Sequence, residues 1–163
     1  MMKIPLRLVL LSVASMTVSL SGQAQADKAP FTVTISAETP VVKAGKQVIV
    51  DVTVTNISKH EIDGGGVVNE MLGMDTYDTY DIRDNVGNPA GKNTIKHPNG
   101  VGRGTLPIII KPGESKVVSA DELGIVYNLS RPGEYTIQLS RRVAFDPKAG
   151  VVKSNTITVT VTE

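Results

Sequence analysis

Leu129-Ser130-Arg131-Pro132-Gly133-Glu134-Tyr135 runs straight into the alternating stretch Thr136-Ile137-Gln138-Leu139-Ser140. Proline presets φ and glycine accepts positive φ, so Pro132-Gly133 marks a turn. A tyrosine two residues past the glycine, at the head of a strand, suits a tyrosine corner whose hydroxyl bonds to backbone upstream. Leu129, Gly133 and Tyr135 are the residues expected to build it, with Tyr135 buried and bonded near Leu129 to Arg131.

Working outward, the strand headed by Tyr135 runs to about Val143, and Phe145-Asp146-Pro147-Lys148-Ala149-Gly150 forms the last hairpin loop. Thr156-Ile157-Thr158-Val159-Thr160-Val161-Thr162 then alternates strictly, with a threonine face toward solvent. This uncharged strand is a plausible edge for pairing with another chain. Toward the N-terminus, Phe31-Thr32-Val33-Thr34-Ile35-Ser36 and the row Val48, Val50, Val52, Val54 are half-buried strands joined through a Lys43-Ala44-Gly45-Lys46 turn. Tyr80-Asp81-Ile82-Arg83, Leu106-Pro107-Ile108-Ile109-Ile110 and Ser115-Lys116-Val117-Val118 supply the others. Ser119 or Asp121 is placed to cap one helical turn reaching Val126. About seven short strands without a long amphipathic helix predict an all-β chain, an immunoglobulin-like antiparallel β-sandwich. With 4% aromatics and no tryptophan, its core must be Val, Ile and Leu.

The first 26 residues stand apart. Lys3 and Arg7 form a positive start, the apolar run from Leu8 reaches about Leu20, and Ala24-Gln25-Ala26 is a small-x-small cleavage site. The run is shorter than the ~20 apolar residues a bilayer requires and is diluted by Ser12, Ser15, Thr17 and Ser19. The expectation is a removed signal peptide at 1–26 and one domain at 27–163, exported to the periplasm or beyond, with no membrane span in the mature chain. Without Lys3 and Arg7 the 17 basic residues fall to 15 against 16 acidic ones. That near-neutral balance argues against nucleic-acid binding. The absence of cysteine removes disulfides, thiol catalysis and Cys-ligated zinc together.

Asn56-x-Ser58, Tyr80-Asp81-x-x-Asp84-x-x-Gly87, Lys111-Pro112-Gly113-Glu114-Ser115 and Pro132-Gly133-x-Tyr135-Thr136 form a succession of strand ends and turns. It is similar to the small bacterial immunoglobulin-like domains that include the intracellular proteinase-inhibitor (BsuPI-like) family, and to exported bacterial proteins with the same strand grammar. The resemblance covers roughly Phe31 to Val161 and implies the fold. It carries no inhibitory residue across, because the shared motifs are turn chemistry and this chain has an export signal.

Two segments break the strand rhythm. After Gly64-Gly65-Gly66 come Val67, Val68, Met71, Leu72 and Met74, apolar residues in a loop that either covers the core or forms a contact surface. Asn88 to Gly104 is glycine-rich and weakly basic, with Lys92, Lys96, His97 and Arg103. Loops of this length in a compact domain are usually functional or disordered.

Chemical alternatives are weak. Asp75, Asp78, Asp81 and Asp84 recur every three residues, but on a strand that spacing alternates faces and no calcium loop is present. His60 and His97 are the only histidines, and no G-x-S-x-G elbow accompanies a serine. Asn56-Ile57-Ser58 and Asn128-Leu129-Ser130 match a glycosylation sequon but also suit strand ends. Stacking on sugars would call on Tyr77, Tyr80, Tyr127 and Phe145, and needs three of them along one groove.

The expectation is a non-catalytic binding domain, monomeric and without cofactor. It acts on a protein or cell-envelope component through loops at one end. A proteinase-inhibitor-like module and a carbohydrate-binding or envelope-structural domain are the alternatives. N-terminal sequencing of the exported protein should begin at Asp27-Lys28-Ala29; a chain retaining residues 1–26 would contradict the export reading.

Overall fold

The computed structural model describes residues 29–64, 67–69, 74–75, 78–93, 104–105, 107–142 and 150–163. Among these residues the fold is all-β with one short helical turn. Its strands are β1 (Phe31–Ala37), β2 (Val41–Lys43), β3 (Ile49–Asn56), β4 (Ile62–Asp63), β5 (Val67–Asn69), β6 (Met74–Asp75), β7 (Asp78–Asp84), β8 (Gly104–Thr105), β9 (Ile109–Ile110), β10 (Ser115–Glu122), β11 (Gly133–Arg142) and β12 (Val151–Thr162). The helical turn α1 spans Leu123–Val126. No helix among the described residues is long and apolar enough to cross a membrane.

Two sheets dominate. One has the order β1-β3-β10 and the other β2-β12-β11-β7. The first grows from the valine row: Val48, Val50, Val52 and Val54 are each at most 1% exposed, while Asp51, Thr53 and Thr55 face outward. Strand β1 pairs antiparallel with β3 from Phe31↔Asn56 to Ala37↔Val50, which turns Phe31, Val33 and Ile35 inward. From the second sheet come Tyr80, Ile82, Ile137, Leu139, Val159 and Val161, and both sets belong to one buried core.

The chain changes sheets between β1 and β2. After Ala37 it kinks through Glu38–Pro40, and β2 then runs parallel to β12 through Thr160↔Val41 and Thr162↔Lys43. The sequence predicted a direct turn at Lys43–Lys46. That turn exists, with Lys46 N–H donating to Lys43 O at 3.0 Å, but only after β2 has crossed over. In consequence β12 is flanked by both β11 and β2. This corrects the expectation that the threonine-rich strand is a free edge: its last residues are already paired.

Other boundaries also shift. Strand β10 runs to Glu122, because a bulge between Val117 and Ser119 breaks its alternation. The bulge leaves Val117 58% exposed and turns Val118 and Asp121 inward. Asp121 therefore lies in the sheet, and α1 begins after Glu122 with no side-chain cap. Strand β12 starts at Val151, earlier than predicted, past a second bulge where Ser154 Oγ accepts the Leu139 N–H at 2.9 Å.

The corner stands where strand β11 begins. Gly133 has φ of 151°, a region that favours glycine. Leu129 and Tyr135 are buried, and the Tyr135 hydroxyl donates to Arg131 O at 2.9 Å. Losing one such bond while keeping the ring costs about 1 kcal/mol. Tyr135→Phe should therefore lower the unfolding free energy by about that amount in a urea titration. No change in the midpoint would remove the corner from the list of stabilising contacts.

Candidate functional site

The two irregular loops meet. Val67 and Val68 of β5 pair with Thr105 and Gly104 of β8, and Val68 and Asn69 pair with Asp75 and Met74 of β6. Residues from the apolar loop and from the end of the glycine-rich loop thus form one three-stranded sheet, in the order β6-β5-β8. Strand β6 lies beside β10. Of the residues singled out in sequence, Val67, Val68 and Met74 are in this sheet; Met71, Leu72, Lys96, His97 and Arg103 lie outside the described residues.

Lys92 has a different role. It forms an isolated antiparallel bridge with Tyr127, and its ammonium stands 6.0 Å from the centre of the Tyr127 ring. Beside it, the Asn93 side-chain amide donates to the carbonyls of Gly124, Ile125 and Tyr127 at 2.8, 3.3 and 3.2 Å. These are the oxygens that a helix end leaves without intrahelical donors. Asn93 thereby pins the start of the long loop to α1, near the head of β3, where Leu123 N–H donates to Val48 O. The far end of that loop, at β8, joins β5.

The root of the loop sheet is built on Gly64. Strands β4 and β9 pair through Ile62↔Ile110 and Asp63↔Ile109, and Gly64 N–H donates to Ile108 O at 2.9 Å. A Cβ on Gly64 would overlap Ile110 Cδ1 and stand 3.3 Å from Val118, so the backbone approaches the core too closely for any side chain. Nearby, Asn56 is fully buried, donating to His60 O and Ile110 O at 2.7 and 2.9 Å and accepting from Ser58 N–H and Oγ. The amide is consumed by structure, which removes Asn56 as a glycan acceptor. Asn128 is exposed and accepts from Ser130 N–H and Oγ, an Asx turn.

Two buried ionisable groupings stand behind this root. Asp78 and Arg141 are register partners on β7 and β11, with Arg141 Nη1 3.4 Å from Asp78 Oδ2 and side-chain exposures of 5% and 0%. Arg141 Nη2 also donates to Gly64 O at 3.2 Å. Tyr80 donates its hydroxyl to Asp121 Oδ2 at 2.6 Å, across the gap between the sheets. Burial pushes the Tyr80 hydroxyl strongly up; the carboxylates of Asp121 and Asp78 push the same way, against Arg141. Tyr80 is thus a fixed donor at neutral pH. Sequence reading missed these contacts, though a signal was present: Asp78 continues the inward row of Tyr80 and Ile82, and Arg141 that of Ile137 and Leu139.

The remaining acids separate as strand geometry requires. Asp81 faces solvent against Arg83 at 3.0 Å, while Asp84 caps the following turn, accepting the N–H groups of Val86 and Asn88. Desolvation pushes the Asp84 carboxyl up, but the donors from Asn88, Val86 and Gly87 outweigh it and hold it below the usual carboxylate range. Among the described residues no three His, Asp or Glu side chains gather as metal ligands. Tyr80 and Tyr127 are buried at 4% and 6% exposure, and the Tyr127 hydroxyl donates to Tyr80 O at 3.1 Å. Neither ring can stack on a sugar; Tyr77 and Phe145 lie outside the described residues.

Open grooves lie elsewhere. One, of about 380 Å³, is lined by Glu38, Val41, Lys43, Lys46, Gln47 and Ile49 beside β2. Another, about 210 Å³, adjoins the corner between Asp84, Asn88 and Arg131. No protein-family model matches the chain, and no curated protein matches its sequence.

Because Asp121 is fully buried, removing its tyrosine donor is costlier than losing the corner bond. Tyr80→Phe should destabilise by about 1.5–3 kcal/mol, the range for hydrogen bonds to charged groups. A group whose folded pKa is raised contributes stability that is lost as pH rises above its unfolded value, near 10 for tyrosine. Urea midpoints from pH 8 to 11 should therefore fall less steeply for Tyr80→Phe than for the wild type. Parallel slopes would contradict the buried, protonated Tyr80.

Proposed function

We propose that this chain is an exported immunoglobulin-like β-sandwich that binds another protein or a cell-envelope component, without catalysis, through the surface where its two long loops join. The architecture is supported by the tyrosine corner, by the sheet orders β1-β3-β10 and β2-β12-β11-β7, and by the crossing of β2 to run beside the last strand. The resemblance to bacterial immunoglobulin-like domains points the same way.

One observation carries the binding reading: β5 and β8 pair, so an apolar loop and a basic loop that are distant in sequence share one small sheet. Arg103 immediately precedes β8 in the chain, and Lys96 and His97 lie a few residues further back. An acidic partner with some apolar surface matches that combination. Sugar stacking loses its support, since two of its four candidate rings are buried.

The loop is anchored at both ends, at Asn93 and Gly104, so excision would disturb the fold and charge removal is the cleaner test. The triple variant Lys96→Ser, His97→Ser, Arg103→Ser should bind solubilised envelope components at least about tenfold more weakly than wild type, most clearly at low salt. Its thermal midpoint should not move. Equal binding by the variant would remove the basic loop from the surface.

A further inference from the structure

We infer that Arg141 is a positioning latch: its buried guanidinium ties the root of the β6-β5-β8 sheet to β7 and so sets where that sheet stands. That this sheet takes part in binding rests on the function proposed above; the tie itself does not. Nη1 faces Asp78 at 3.4 Å and Nη2 donates to Gly64 O at 3.2 Å, so one planar group holds two chain segments that share no strand pairing. Val67, the first residue of β5, follows Gly64 by three positions.

The β7–β11 ladder does not require this ion pair. It is already fixed by Ile137↔Ile82 and Leu139↔Tyr80, and two apolar residues at the last register position would pack without the desolvation that buried charges suffer. What an apolar side chain cannot do is hold the Gly64 carbonyl. The opposite face of Gly64 is closed by Ile110 and Val118, and its N–H is held by Ile108. With the carbonyl also held, the exit direction of the chain into β5 is set. The fork of an arginine serves both partners at once, whereas a lysine ammonium is a single point.

Hydrogen exchange on the whole exported chain, without any partner, tests the latch. In Arg141→Lys and Arg141→Met, amides of Val67–Asn69 and Gly104–Thr105 should exchange at least about tenfold faster, as local opening at the loop root predicts. Amides of Val50–Val54 and Ile137–Leu139 should change by less than about threefold. Wild-type exchange in β5 and β8 would overturn the latch, and so would equal acceleration throughout β3 and β11, which marks a general stabilising residue. If Arg141→Met fails to fold, Arg141→Lys and Asp78→Asn decide by the same criterion. Should these variants loosen the loop sheet yet bind envelope components as wild type does, the latch stands and the binding role of that sheet falls.

Discussion

Everything in this domain depends on two rows of aliphatic side chains pressed together without covalent help. Val48, Val50, Val52 and Val54 from one sheet face the core that also takes Ile137, Leu139, Val159 and Val161 from the other. No disulfide and no tryptophan supplements them. Each fully buried side chain of this kind contributes on the order of 1.5–3 kcal/mol, against a conformational cost of similar total size. Leu139 apart, these side chains are β-branched, and Ile110 and Val118 of the same core crowd the place where a Cβ on Gly64 would stand.

A domain with two open sheets must also manage its edges, and side chains do much of that here. Strand β7 is covered by Pro89 and Ala90, with Ala90 N–H bonded to Ile82 O, and by the Tyr127 hydroxyl on Tyr80 O. Strand β1 is held at its middle by Asn155, whose amide accepts from Ile35 N–H at 2.8 Å and donates to Ile35 O at 3.0 Å. That amide imitates a neighbouring peptide group and links the first strand to the last. Strand β2 is only three residues long, too short to template extended pairing. The Asn88–Asn93 segment, which looked like pure loop, is largely edge cover and helix clamp.

Much of the fold was legible because its rules are local. Alternation marked β1, β3, β7 and β12, proline–glycine chemistry marked the corner and the Lys111–Glu114 turn, and Gly45 marked the turn at Lys43–Lys46. What escaped was set by long-range pairing. The crossing of β2 depends on β12, more than a hundred residues away. The bulge at Val118 inverts the faces of β10, so that a capping aspartate becomes a core residue at Asp121. For the candidate site, composition singled out both loops, but their union in one sheet is a fact of register that no single segment encodes. Arg141 and Asp78 were readable in principle, each being a charged residue on an inward row.

The scaffold therefore behaves as one unit, and the loop sheet hangs from it at Gly64 and Asn93. The central claim is that both principal sheets share a single core and neither stands alone. With no tryptophan in the chain, the intrinsic fluorescence comes from tyrosine, and Tyr80, Tyr127 and Tyr135 all sit in that core. Urea unfolding followed in parallel by tyrosine fluorescence and far-ultraviolet circular dichroism tests the claim most directly. The two curves should superimpose with one midpoint; separate midpoints, with strand signal surviving loss of the tyrosine environment, would contradict it.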